Sequence, residues 1–274
     1  MKKIFGIFAF AAFIALGIFT TTSCNKEKIV ATAIDNLVTG QDVATTQALM
    51  EDDENEILNE QVAGARGGCA TLTFAKPKGA FPQTITIDYP STGCVDKKGR
   101  TRIGSLTVEV SADPKAQGSV MVVTPKNFTV DGIKVEGTRT WTNNGKDAAG
   151  NKNLTRVVTG GKLTFPNGKT ATFDSKENVK QIAGAATPDD RTDDVVEITG
   201  TRSGVNRNGN AYSAEITTKL VKNFSCEHIV SGIVSITKDS SSRSIDFGDG
   251  TCDDKATVTL ANGTTKEVTL KKWW

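Results

Sequence analysis

Four cysteines, Cys69, Cys94, Cys226 and Cys252, are the residues best placed to do chemistry. They can pair as disulfides, with three pairings open, or ligate zinc. Zinc is the weaker reading, because no Cys-x-x-Cys pair occurs and the sole histidine is His228. Hairpin arithmetic favours Cys69 with Cys94 and Cys226 with Cys252. If 69–75 folds back on 84–89 across the loop 76–83, Cys69 is carried towards Cys94. If 226–237 folds back on 243–247 through the turn 238–242, Cys226 lands beside Cys252. Such bridges belong to an oxidising compartment. Asp246, Asp249, Asp253 and Asp254 form a second cluster whose hard oxygens suit calcium. The simpler reading is that aspartate and glycine make a tight turn leading to Cys252. With one histidine and no Gly-x-Ser-x-Gly elbow, a nucleophilic triad has little support, and no glycine-rich loop opens a helix to cradle phosphate. No cofactor is expected. Trp141, Tyr212, Trp273 and Trp274 would offer stacking faces for sugar rings if exposed together, although core filling suits Trp141 and Tyr212 equally. Arg139 and Arg202, in Gly137-Thr138-Arg139 and Gly200-Thr201-Arg202, would hold an anion if their strands paired; the plainer reading is two arginines on a wetted sheet face.

The elements that position these residues begin after a leader. Lys2 and Lys3 precede the apolar stretch Ile4 to Phe19, and Thr20 to Ser23 lead into Cys24. This resembles a bacterial lipoprotein signal, in which the cysteine becomes the lipidated N-terminus. The expected organisation is a signal peptide over 1–23, a lipidated tether over 24–68 and a disulfide-stapled β domain over 69–274. Of the 274 residues, removing the first 23 leaves 251, and losing Lys2 and Lys3 reduces the 33 basic side chains to 31, matching 31 acidic ones. A balanced body generates no long-range field for nucleic acid, so no nucleic-acid partner is expected. The membrane is reached through the lipid on Cys24. In the tether, Leu37, Val43, Leu49 and Met50 are spaced for a short helix, and the acidic run 51–56 reads as a solvated face.

From Cys69 onwards the apolar period is two. Leu106, Val108 and Val110 alternate with polar residues, as do Tyr212, Ala214, Ile216 and Leu220. One dry and one wet face per strand is the pattern of antiparallel sheet. Asn167-Gly168, Asn208-Gly209 and Asn262-Gly263 predict type I′ hairpins. The predicted fold is an all-β antiparallel meander forming a twisted sandwich or half-barrel. Two pseudo-symmetric halves are suggested by the mirrored order of cysteine hairpin, Gly-Thr-Arg strand, Gly-Thr-Arg strand and cysteine hairpin.

The lipoprotein signal, with Ile85-Thr86-Ile87-Asp88-Tyr89, Gly93-Cys94, Gly99-Arg100-Thr101-Arg102, Val135-Glu136-Gly137-Thr138-Arg139-Thr140, Asp193-Asp194-Val195 and Ile245-Asp246-Phe247-Gly248-Asp249-Gly250, resembles a group of uncharacterised Bacteroidota envelope lipoproteins. The resemblance spans about Cys69 to Leu270. It implies a Gram-negative outer-membrane location and a β-rich body, and it carries no activity. Lys26-Glu27-Lys28 is similar to charged export signals of surface lipoproteins, which favours the cell surface over the periplasmic face. Three functions follow as expectations. A non-enzymatic binding or structural module meeting envelope glycan or protein leads, an enzyme acting on envelope glycans or peptides is second, and a carrier of an acyl chain or other apolar ligand is third.

Overall fold

The computed structural model describes residues 38–47, 49, 69–96, 99–187, 190, 192–238 and 241–270. Cys24, the acidic run 51–56, Trp273 and Trp274 lie outside them.

The period-two segments become thirteen strands: β1 (Thr71–Phe74), β2 (Gln83–Val95), β3 (Thr101–Val110), β4 (Val120–Val130), β5 (Ile133–Lys146), β6 (Lys152–Thr164), β7 (Thr170–Ala183), β8 (Val195–Val205), β9 (Ala211–Asn223), β10 (Ile229–Lys238), β11 (Ser241–Asp249), β12 (Lys255–Thr259) and β13 (Thr265–Thr269). Each pairs antiparallel with the next, so spatial order equals chain order in one sheet that does not close. The expected all-β antiparallel meander is therefore present as one continuous sheet. A meander needs only short links, which is why valine- and threonine-rich strands joined by turns suffice to build it.

The turns depart from expectation in an informative way. Asn167, Asn208 and Asn262 do not have positive φ; only the following glycines do, at 80°, 83° and 81°. Phe165, Asn206 and Leu260 each donate their N–H to the carbonyl four residues on and accept from the glycine N–H three residues on. This is the three-residue hairpin in which a type I turn is followed by a left-handed residue. The same pair of bonds recurs from Asp96 and Asp147. A two-residue turn with both central residues at positive φ does occur, at Asp131-Gly132 (49° and 80°), between the paired Val130 and Ile133. The turn after β10 is also tighter than predicted, since Lys238 pairs directly with Ser241.

A crease crosses the strands. Register shifts fall beside Gly104 in β3, Gly137 in β5, Gly160 in β6, Gly200 in β8 and Gly232 in β10. At Gly137 an added Cβ would stand 2.7 Å from the Gly160 carbonyl oxygen, and at Gly200 it would meet the Lys176 carbonyl. Both have positive φ, 103° and 143°. Bulges of this kind bend strands and curve a sheet. Each bulge is followed two residues on by a buried arginine, Arg139 or Arg202. The repeated Gly-Thr-Arg is thus one local device used twice.

What the curvature encloses is α1, a helix over residues 38–47. Thr39, Asp42, Val43, Ala44, Thr45, Thr46 and Gln47 are all buried. The body therefore draws in part of the segment read from the sequence as tether.

Candidate functional site

Cys69 and Cys94 lie at disulfide distance with Cα atoms 5.5 Å apart, and so do Cys226 and Cys252. The first pair is set by the register of β1 on β2, in which Thr71 faces Asp88 and Phe74 faces Ile85. The second closes the hairpin of β10 and β11. His228 sits just before β10 and not within a strand, with Nε2 3.9 Å from a Glu227 carboxylate oxygen.

Asp246, Asp249, Asp253 and Asp254 do not gather into a metal-sized group; among the described residues no such group of three or more histidine, cysteine or carboxylate side chains occurs. Their oxygens serve the turn. Asp246 accepts from the Gly248 N–H, Asp249 from the N–H and hydroxyl of Thr251, and Asp253 from the Lys255 N–H. Trp141 and Tyr212 are 4 % and 5 % exposed, so neither presents a stacking face. Burial pushes the Tyr212 hydroxyl up to about 12, which keeps it neutral.

Arg139 and Arg202 belong to β5 and β8, with β6 and β7 between them, and not to paired strands. They share one register row, Arg139–Val158–Ser175–Arg202, which at the usual strand spacing separates them by about 14 Å. They also lie on the buried face and not on a wetted one. An ionic chain runs along that face. The Arg156 guanidinium donates to Glu177 Oε2, with Nε at 2.9 Å, and Arg202 Nη2 lies 3.2 Å from Glu177 Oε1. Burial alone would raise the Glu177 carboxyl, but the two guanidinium groups outweigh it and hold it below the usual glutamate range. Arg202 then reaches the helix, donating to the Val43 carbonyl at 2.9 Å, to Gln47 Oε1 at 2.7 Å and to the Thr46 hydroxyl. Arg207 pairs with Asp42, its backbone N–H also reaching Oδ2 at 2.7 Å, and the Asn206 amide donates to the Thr39 hydroxyl at 2.7 Å. Arg207 packs over the Phe165 ring, 3.8 Å from its centroid.

The opposite face of the same strands carries an open groove of about 580 Å³ over β6 to β10. Two adjacent register rows make its floor. One runs Val157–Lys176–Thr201–Glu215–Ser235, the other Asp174–Ser203–Ser213–Thr237. Short hydroxyl side chains leave the depression between longer neighbours, with Asp174, Lys176 and Glu215 supplying charge. Of these residues, period-two alternation placed only Ser213 and Glu215 on the wet face. What the sequence did not signal is that five strands would bring them together, because that depends on register across loops.

Comparison with protein-family models, with curated proteins and with solved structures finds no match to this chain. The arrangement itself defines a curved all-β body with a buried helix, a polar external groove and two stapled hairpins.

Proposed function

We propose that this chain is a lipid-anchored protein of the Gram-negative outer membrane, of the Bacteroidota type, that works as a non-enzymatic binding module, with envelope glycan as its ligand. The observation that carries the binding reading is the groove over β6 to β10, where hydroxyls of Thr201, Ser203, Ser213, Ser235 and Thr237 stand in two cross-strand rows with Asp174 and Glu215. Such a lining offers donors and acceptors to a polyhydroxylated chain without an apolar platform. With the helix docked the carrier reading finds less support, since the cavity that Val43 and Gln47 share with Ala214, Ile216 and Phe247 holds only about 10 Å³.

The leader and Cys24 support attachment through lipid, and the charged residues after Cys24 support the cell surface. Filling the groove tests the binding reading. Ser213→Trp should abolish co-sedimentation of the protein with isolated envelope polysaccharide while leaving its circular dichroism unchanged; undiminished co-sedimentation would remove the groove from the account. Cys24→Ala should abolish metabolic fatty-acid labelling, and equal labelling would remove the anchor.

A further inference from the structure

We propose that the sheet face covered by α1 is a second binding site, for an anionic amphiphile such as a long-chain carboxylate, and that residues 38–47 are its built-in competitor. The inference goes beyond the groove and does not depend on it.

The helix is a poor one by its own chemistry. Val38, Thr39, Val43, Thr45 and Thr46 are β-branched, and Gly40 weakens the helix further. Docking holds it in place. That docking is polar where a helix in a core is ordinarily apolar: the Val43 carbonyl, the Thr46 hydroxyl and Gln47 Oε1 all accept from Arg202, and Asp42 binds Arg207 through side chain and backbone N–H. The Asp42 carboxylate on Arg207 is the contact that a carboxylate head would replace. Behind the helix stands an apolar wall that includes Ile198, Ala214, Val234, Phe247 and Val258, against which Val43 and Ala44 pack. A trough cationic at one place and apolar along its length matches a charged head with an acyl tail. Residues 38–47 alone span about 15 Å as helix, a length such a tail can occupy.

Two substitutions on the helix move its docking in opposite directions while leaving the sheet side intact. Asp42→Ala removes the ion pair to Arg207. Gly40→Ala strengthens the helix, since the new Cβ would meet only Val258 methyls at 3.5 Å and a distant Ile245 carbon, ordinary contacts. Titrating the mature chain with the fluorescent fatty acid parinarate should show binding at least tenfold tighter in Asp42→Ala than in the parent. In Gly40→Ala it should be three- to fivefold weaker. The methyl ester of the probe should bind more weakly than the acid in each of the three proteins. Equal affinity in all three proteins, or an ester that binds as well as the acid, would overturn the proposal. Should Asp42→Ala fail to fold, the comparison of Gly40→Ala with the parent decides it alone: weaker binding supports competition, unchanged or tighter binding refutes it.

Discussion

The two ends of the sheet fill their interiors differently. The core lying mainly on β1 to β7 contains Tyr89, Phe128, Trp141, Phe165 and Phe173, whereas the core on the later strands has, among the described residues, Tyr212 and Phe247 as its buried aromatics and relies on valine, isoleucine and alanine. The first part is filled mainly by large rings from its own strands, with Leu49 of the N-terminal helix added. The second part has smaller described side chains and takes in Val43 and Ala44 from the same helix. One segment thus serves both cores, and its polar groups Asp42, Thr46 and Gln47 meet Arg202 and Arg207 beside the second.

The contrast can be broken most forcefully at Phe128, which is fully buried and lies 5.5 Å from the Tyr89 ring. Phe128→Ala should cost about 3–5 kcal/mol in denaturant unfolding. Hydrogen exchange should rise in β2 to β5 before it rises in β9 to β12; equal loss at both ends would mean that the two cores are one cooperative unit. Glu177 comes next, as the carboxylate shared by Arg156 and Arg202. Glu177→Gln should cost about 3 kcal/mol or slightly more, because two buried guanidinium groups lose their counter-charge. It also sets a pH signature. A carboxyl held below its unfolded value contributes stability that is complete above the ordinary glutamate range and is lost as pH falls through the lower folded value. The parent's unfolding midpoint should accordingly fall with acid more steeply than that of Glu177→Gln, and parallel curves would deny the depressed carboxyl.

The staples sharpen the comparison. Their sequence separations are 25 and 26, so removing either pair as a double alanine variant should cost a similar amount, about 3–4 kcal/mol on a chain-entropy basis. A clear inequality would show that one half also depends on its bridge for packing. Gly137→Ala forces a side chain into a left-handed position against the Gly160 carbonyl and should cost about 1–3 kcal/mol. At the small end, Lys255→Ala removes an exposed pair with Glu267 on the last hairpin and should leave the unfolding midpoint unchanged.

Much of this architecture is legible in the chain. Alternation in β3 and β9 reports strand faces directly, and the cysteine hairpins follow from counting residues across a turn. The turn type at Asn167, Asn208 and Asn262 was misjudged because Asn-Gly fits two geometries; the choice between them depends on which residue closes the hairpin, and that is fixed by pairing several residues away. Arg139 and Arg202 were legible as a repeated motif and illegible in burial, since an arginine in a strand is buried only if a partner waits on the inner face. For Arg202 that partner is Glu177 together with the helix. The helix itself was legible in the spacing of Val43 and Leu49, and its burial was the hardest part to read. Thr39, Asp42, Thr45, Thr46 and Gln47 make residues 38–47 look solvated, and only the distant Arg202, Asn206 and Arg207 turn those polar groups into a reason for burial. The groove was illegible for the same reason, because its rows exist only once five strands are in register.

The burial of α1 changes the mechanics of attachment. Were the chain anchored at Cys24 as proposed, the first described residue after the anchor would be Val38, fourteen positions on. Fully extended, that span reaches at most about 50 Å. A pull from the anchor would have to pass through the helix, held by Arg202, Asn206 and Arg207, before it reached either disulfide. Under force the helix, held by hydrogen bonds and an ion pair, would then be expected to yield before the covalent staples.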